Sequence, residues 1–143
     1  LLRYQLYECN TEKIDIAREI QYLENYLALQ RLRHDEQYHI HFEHAPEVKD
    51  FEIAPLILMP LVENAFKHIS HQPANTVNIQ MARQNGRFTF TVENTCEPRP
   101  QGAPGGIGLA NVKRRLELLY NGKHALDISP GAHHFAVTLT LQV

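Results

Sequence analysis

Cysteine is scarce in this chain. Cys9 and Cys96 are the two present, far apart and without any paired spacing. A disulfide-stapled scaffold is excluded, and the two read as reduced thiols of a cytosolic chain. A basic excess is also missing: 14 Lys and Arg face 16 Asp and Glu, for a formal net charge of -2. That argues against a broad nucleic-acid footprint, so no nucleic-acid partner is expected. It leaves room for a nucleotide, which needs only a few local donors. No apolar run approaches the roughly 20 residues of a membrane span. Arg3, Gln5 and Glu8 interrupt the first apolar residues, so no signal peptide is read there. Direct membrane contact by this stretch is not expected. Glycine is sparse, and four of the seven glycines fall between Gly102 and Gly108.

What is present is an ordinary globular composition. The chain has 143 residues, 43% hydrophobic and 21% charged, which suits one soluble domain with a real core. Leu1, Leu2 and Leu6, with Tyr4 and Tyr7, look like the end of a helix whose beginning lies upstream. The chain is therefore expected to be part of something longer.

Hydrophobic periodicity orders the rest. Ile16, Ile20, Leu23 and Leu27 form one stripe, widened by Tyr22, Tyr26 and Leu29, which predicts a helix over 17–35. Tyr38, Ile40 and Phe42 alternate with polar neighbours as in a strand. Residues 44–52 read as a polar connection. A second helix is predicted over 55–70, with Pro55 in its first turn and a kink at Pro60. Val77, Ile79 and Met81 alternate, then Phe88, Phe90 and Val92, with Asn85-Gly86 as a hairpin turn between them. Pro98, Pro100 and Pro104 with the clustered glycines predict a mobile loop over 95–108. Leu109, Val112, Leu116 and Leu119 share one face of a third helix, ended near Asn121-Gly122. Residues 125–129 and 135–143 read as a closing hairpin turned at Pro130-Gly131. Strands joined by tight turns, with helices between, predict an α/β two-layer sandwich: a mixed, mostly antiparallel sheet with helices on one face.

Two segments could carry chemistry. In Pro60-Leu61-Val62-Glu63-Asn64-Ala65-Phe66-Lys67-His68, the side chains of Asn64, Lys67, His68 and His71 share a polar helix face. Leu58, Val62, Ala65 and Ile69 form the neighbouring apolar face. An Asn oxygen is a hard ligand suited to magnesium, and a Lys one turn on supplies a point charge for phosphates. The bland alternative is an amphipathic helix with a solvated face. In Gly105-Gly106-Ile107-Gly108-Leu109-Ala110-Asn111-Val112, glycines open a helix, where backbone N–H groups and the helix terminus favour an anion. This is neither a Walker A nor a Rossmann fingerprint. Its bland alternative is a flexible loop ending in a helix. The nine histidines include His39, His41 and His44, and His133 with His134, but no Cys or acidic partner completes a metal set at a recognisable spacing.

Taken together, the two segments resemble a known family. Residues 60–68 look like the N box of LytS-type sensor histidine kinases. Gly106-Ile107-Gly108-Leu109-Ala110-Asn111-Val112-Lys113-Arg114-Arg115-Leu116 looks like their second glycine box and the helix after it. Glu19-Ile20-Gln21-Tyr22-Leu23-Glu24-Asn25-Tyr26-Leu27 resembles the segment joining the phosphoacceptor region to the ATP lobe. The resemblance covers nearly the whole chain, in the right order. It implies a Bergerat-type ATP site, with residues 1–35 as the remnant of the dimerisation region and linking helix and 36–143 as the ATP-binding catalytic domain. ATP and Mg2+ are the implied cofactors. Asn64 would hold the ion, Lys67 and His68 would face the phosphates, and Gly105, Gly106, Gly108 and Leu109 would shape the lid.

The family usually ends a strand in an Asp that accepts a bond from the adenine amino group. Asn94 stands there, and the glycines that follow it in the family are absent. Its oxygen can still accept, without charge assistance. Strand alternation turns Glu93 to the other face. Hydrolytic relatives place a water-activating Glu four residues before the magnesium Asn. Here that position is Pro60, and Glu63 lies about 100° round the helix, poorly placed for that role. The resemblance therefore implies phosphoryl transfer to a His outside this chain. The parent would be a homodimer in the bacterial inner membrane, and its partner a response regulator of LytTR type. The alternative is a degenerate nucleotide-binding or interaction module without kinase activity. A free-standing ATPase is a third reading, and Pro60 counts against it.

Overall fold

The computed structural model of the chain describes residues 13–34, 38–69, 74–96 and 107–143. The expected helical remnant at Leu1–Tyr7, Cys9, His71, Pro98, Pro100, Gly102, Pro104, Gly105 and Gly106 lie outside the described residues. In chain order the elements are β1 (Ile14–Asp15), α1 (Ile16–His34), β2 (Tyr38–His44), β3 (Glu52–Ile53), α2 (Leu58–Lys67), β4 (Asn75–Gln84), β5 (Arg87–Thr95), α3 (Ile107–Leu119), β6 (His124–Pro130) and β7 (His134–Gln142).

Alternation of side chains builds the sheet. Val77, Ile79 and Met81 of β4, Phe88, Phe90 and Val92 of β5, and Val137, Leu139 and Leu141 of β7 are all buried on one face. Thr76, Gln80, Glu93 and Gln142 are exposed on the other. The strand order is β2-β4-β5-β7-β6. β2 runs parallel to β4, and the remaining pairs are antiparallel. The sheet is thus mixed and mostly antiparallel, as expected. The β4–β5 turn places Asn85 at φ 53° and Gly86 at φ 75°, the paired left-handed residues of a type I′ hairpin.

The helices supply the second layer. Ile16, Leu23 and Leu27 of α1 and Leu58, Val62 and Ala65 of α2 are buried. They join Val112 and Leu116 of α3 in one apolar cluster with the sheet. No helix among the described residues is long and apolar enough to cross a membrane.

Three expectations need correction. The polar connection at 44–52 contains Val48 and Phe51, both buried, and leads into β3, which pairs antiparallel with β1. Strands of two residues have no periodicity to read. Second, α2 starts at Leu58 rather than Pro55. Third, Pro60 is therefore the third helical residue, where its missing N–H has no partner to lose, so it marks the first turn rather than a kink.

Candidate functional site

The helix α2 positions the central residues. Its apolar face is fixed in the core, so the neighbouring face carrying Asn64 and Lys67 turns toward α1. Between them lies a groove of about 610 Å³, with Pro60, Glu63, Asn64, Phe66 and Lys67 on one wall. Tyr26, Gln30, Arg33 and His34 of α1 form the other. Asn64 is buried at 7% exposure, whereas Lys67 is exposed. Aromatic contacts brace the α1 end. Tyr26 meets Phe66 edge-on at 5.8 Å, Phe66 stacks with Tyr38 at 6.2 Å, and His34 stacks on Tyr38 at 4.1 Å.

The groove is electrically mixed. Partial burial pushes the Glu63 carboxyl above the usual carboxylate range. Burial, followed by the Glu63 charge, pushes the Tyr26 hydroxyl up to about 12, against a lowering pull from Arg33. Tyr26 therefore keeps its proton at neutral pH and can donate it. Glu63, about 100° round the helix from Asn64, lines the same groove. The groove is broad enough that 100° of rotation keeps both on its wall.

His68 caps α2 instead of lining the groove. Its backbone N–H donates to the Asn64 carbonyl at 3.1 Å, and its side chain is half-buried. Asn94 sits at the end of β5, on the helix-covered face, 1% exposed. Its Nδ2 donates to the Thr95 carbonyl at 2.9 Å. Only the NH₂ end of an amide can pair with a carbonyl, so that bond fixes Oδ1 as the accepting end. Thr95 Oγ1 in turn donates to Asn75 Oδ1 at 3.1 Å and accepts from the Thr76 N–H at 3.2 Å. Glu93 is exposed on the opposite face, 3.7 Å from His134 Nδ1. Gly108 lies in the first turn of α3, and Leu109 is buried in the core.

The structure thus brings Asn64 and Lys67 together and leaves His68 and Asn94 outside that groove's lining. Among the described residues no group of three His, Cys, Asp or Glu side chains is gathered as a metal cluster. Asn64 offers one hard neutral oxygen, which fits a magnesium ion that draws the rest of its shell from phosphates and water. Sequence reasoning missed the α1 wall. Its signal was Gln30, a polar residue at the next position of the Ile20, Leu23, Leu27 stripe and buried at 7% exposure.

No protein-family model matches the chain. Over 87 residues it is 34% identical to the sensor protein kinase HptS of Staphylococcus aureus, a match that covers 59% of this chain and 17% of that protein. The chain therefore spans less than a fifth of the curated relatives it matches. Among solved structures, the catalytic domain of the histidine kinase ThkA superposes with a TM-score of 0.70 at 14% identity, covering 92% of this chain and 97% of that one. The histidine kinase AdeS of Acinetobacter baumannii gives 0.65 at 14%, over 92% of this chain and 66% of that one. Full-length ShkA, solved in complex with AMPPNP, gives 0.63 at 18%, over 84% of this chain and 29% of that one. The chain is related to sensor histidine kinases and has the fold of their catalytic domain.

Proposed function

We propose that this chain is the ATP-binding part of a LytS-type sensor histidine kinase, binding Mg-ATP for transfer of the γ-phosphoryl group to a His outside it. The observation that carries the reading is the pairing of a nearly buried Asn64 with an exposed Lys67 on one wall of a 610 Å³ groove. Asn64 is the magnesium ligand and Lys67 the phosphate counter-charge. His68 closes the same helix beside them. Asn94 accepts from the adenine amino group, and Gly105, Gly106, Gly108 and Leu109 form the lid and its helix start. The bound ion neutralises charge on the phosphates. In phosphoryl transfer the protein contributes mostly position and field, so a rigid helix carrying both residues is the useful device. Within the parent protein, residues 1–35 connect to the acceptor region. A response regulator of LytTR type receives the phosphoryl group, and the parent dimerises in the membrane.

The structural neighbour ShkA was solved in complex with AMPPNP, which supports the nucleotide class. The second reading, a degenerate module that binds partners without transferring phosphate, is favoured by one feature: the neutral Asn94 where an acidic adenine reader is expected. A titration with a fluorescent ATP analogue separates the two. Binding that strengthens with magnesium and weakens in Asn64→Ala is expected. Binding that is absent, or indifferent to both, would leave the degenerate module. Steady release of phosphate by the chain alone would count against transfer and toward hydrolysis.

A further inference from the structure

The start of the Asn64 helix has an unusual support. The α2 N-cap, Ile57, is in the right-handed helical region, makes no side-chain capping bond, and is followed by a first turn with no acidic residue. The preceding residue, Leu56, has φ 61°, a left-handed conformation that a non-glycine residue keeps only where its surroundings enforce it. The carbonyls of Pro55 and Leu56 lie before the N-cap, so the helix supplies them no N–H. Both accept from Arg115 Nη1 of α3, each at 2.7 Å. Just past the end of α3, the Tyr120 hydroxyl accepts the Ala54 N–H at 2.9 Å. Arg115 of α3 and Tyr120 just beyond it thus hold three successive residues at the entry of α2.

We propose that Arg115 is a positioning residue for the nucleotide site, setting the pose of α2 and through it the oxygen of Asn64. The inference rests on the assignment of Asn64 as the magnesium ligand. Asn64 lies eight residues beyond Leu56 and six beyond Leu58, where the helix begins, so about 9 Å of rigid helix separates it from the entry. A tilt at the entry is therefore carried to the ligand as a displacement, and misplacement of about 1 Å at such a site costs much of its function. A guanidinium suits the task because it stays charged and presents fixed N–H donors, here from one nitrogen to both carbonyls. The clamp also starts from the helix that follows the glycine segment.

The test compares wild type, Arg115→Gln and Arg115→Lys by titration with a fluorescent ATP analogue, with and without magnesium, alongside hydrogen exchange of the α2 amides. In Arg115→Gln, the magnesium-supported affinity should fall about tenfold, while affinity without magnesium changes less than about twofold. Exchange at residues 58–64 should quicken with the sheet amides unchanged. Arg115→Lys, which keeps a charged donor but not the fixed fork, should recover part of the loss and leave it at about threefold. Equal losses with and without magnesium, or unchanged binding, overturn the proposal. If Arg115→Gln does not fold, Arg115→Lys decides: a selective loss of about threefold in the magnesium-supported binding supports the clamp, and wild-type behaviour in binding and exchange overturns it. A wild-type chain that ignores Mg-ATP overturns the functional reading, and quickened α2 exchange in Arg115→Gln would then still record the mechanical link.

Discussion

Asn94 is where a single atom type decides most. If Asn94 accepts from adenine as proposed, the simple expectation is that Asn94→Asp gives that acceptor a charge. The bond from Nδ2 to the Thr95 carbonyl argues otherwise. An aspartate cannot donate, so the substitution sets a carboxylate oxygen against a carbonyl oxygen at a position 1% exposed. The expected result is a loss of about 1–3 kcal/mol in urea-unfolding stability; an unchanged midpoint would mean that the Thr95 bond contributes nothing. Glu63 gives a pH-dependent counterpart. Its folded pKa lies above the usual carboxylate range because of desolvation, so folding favours the protonated form. The resulting penalty is absent below the ordinary carboxylate pKa and grows as pH rises through the folded value. Glu63→Gln should therefore be slightly more stable than wild type near pH 7, by a few tenths of a kcal/mol after solvent screening. The difference should close near pH 4, and chemical unfolding at the two pH values measures it.

At the level of elements, α1 belongs energetically to the sheet it covers. Leu23 is fully buried in the cluster that also holds Phe88 and Phe90. Leu23→Ala should cost about 2–5 kcal/mol, mostly as an unfilled cavity, and a cost below 1 kcal/mol would mean that α1 is loosely docked. The β4–β5 hairpin has its own weak point at Gly86. With φ at +75° and an added Cβ 3.4 Å from the Val143 carbonyl oxygen, Gly86→Ala should cost about 1–2 kcal/mol, read as a lower thermal midpoint. Elements such as these were legible in the sequence because each has a period or a turn signature. The stripe through Leu23 has one, and so does Asn85-Gly86. The pairing of β1 with β3 was not legible, since two-residue strands leave no pattern and their partners are 39 positions apart in register, Ile14 against Ile53. The start of α2 was misread because Pro55 is chemically as good a first-turn residue as Pro60. The carbonyls of Pro55 and Leu56 are bound by Arg115, 59 residues away from Leu56, a contact no local signal announces. Of the candidate site, helical spacing put Asn64 and Lys67 on one polar face, and the resemblance of residues 60–68 to an N box gave that face its proposed role. The wall facing them was not, because Tyr26 read as part of the apolar stripe of α1 and no local signal sets Arg33 and His34 beside α2.

On the scale of the whole molecule, helices and sheet share one apolar cluster, so the chain should unfold as a single cooperative unit. The strand order contributes to this. β2 crosses over to run parallel beside β4, which places α1 next to α2 and makes the groove a product of the complete fold rather than of any one segment. A ligand that needs the groove must then bind the native state alone, and its binding energy appears as global stability. At a concentration of Mg-ATP about 100 times its dissociation constant, mass action adds about 2.7 kcal/mol, roughly a 10 °C rise in melting temperature for a domain of this size. Replacing Asn64 with Ala should remove the part of that rise that depends on magnesium while leaving the melt cooperative. A calorimetric scan with ATP, with and without magnesium, on both proteins reads this directly. If the wild-type midpoint ignores Mg-ATP at millimolar concentration, the groove does not hold the nucleotide and the chain's role lies in its surface. If the midpoint rises equally in Asn64→Ala, the nucleotide binds but Asn64 does not hold the ion.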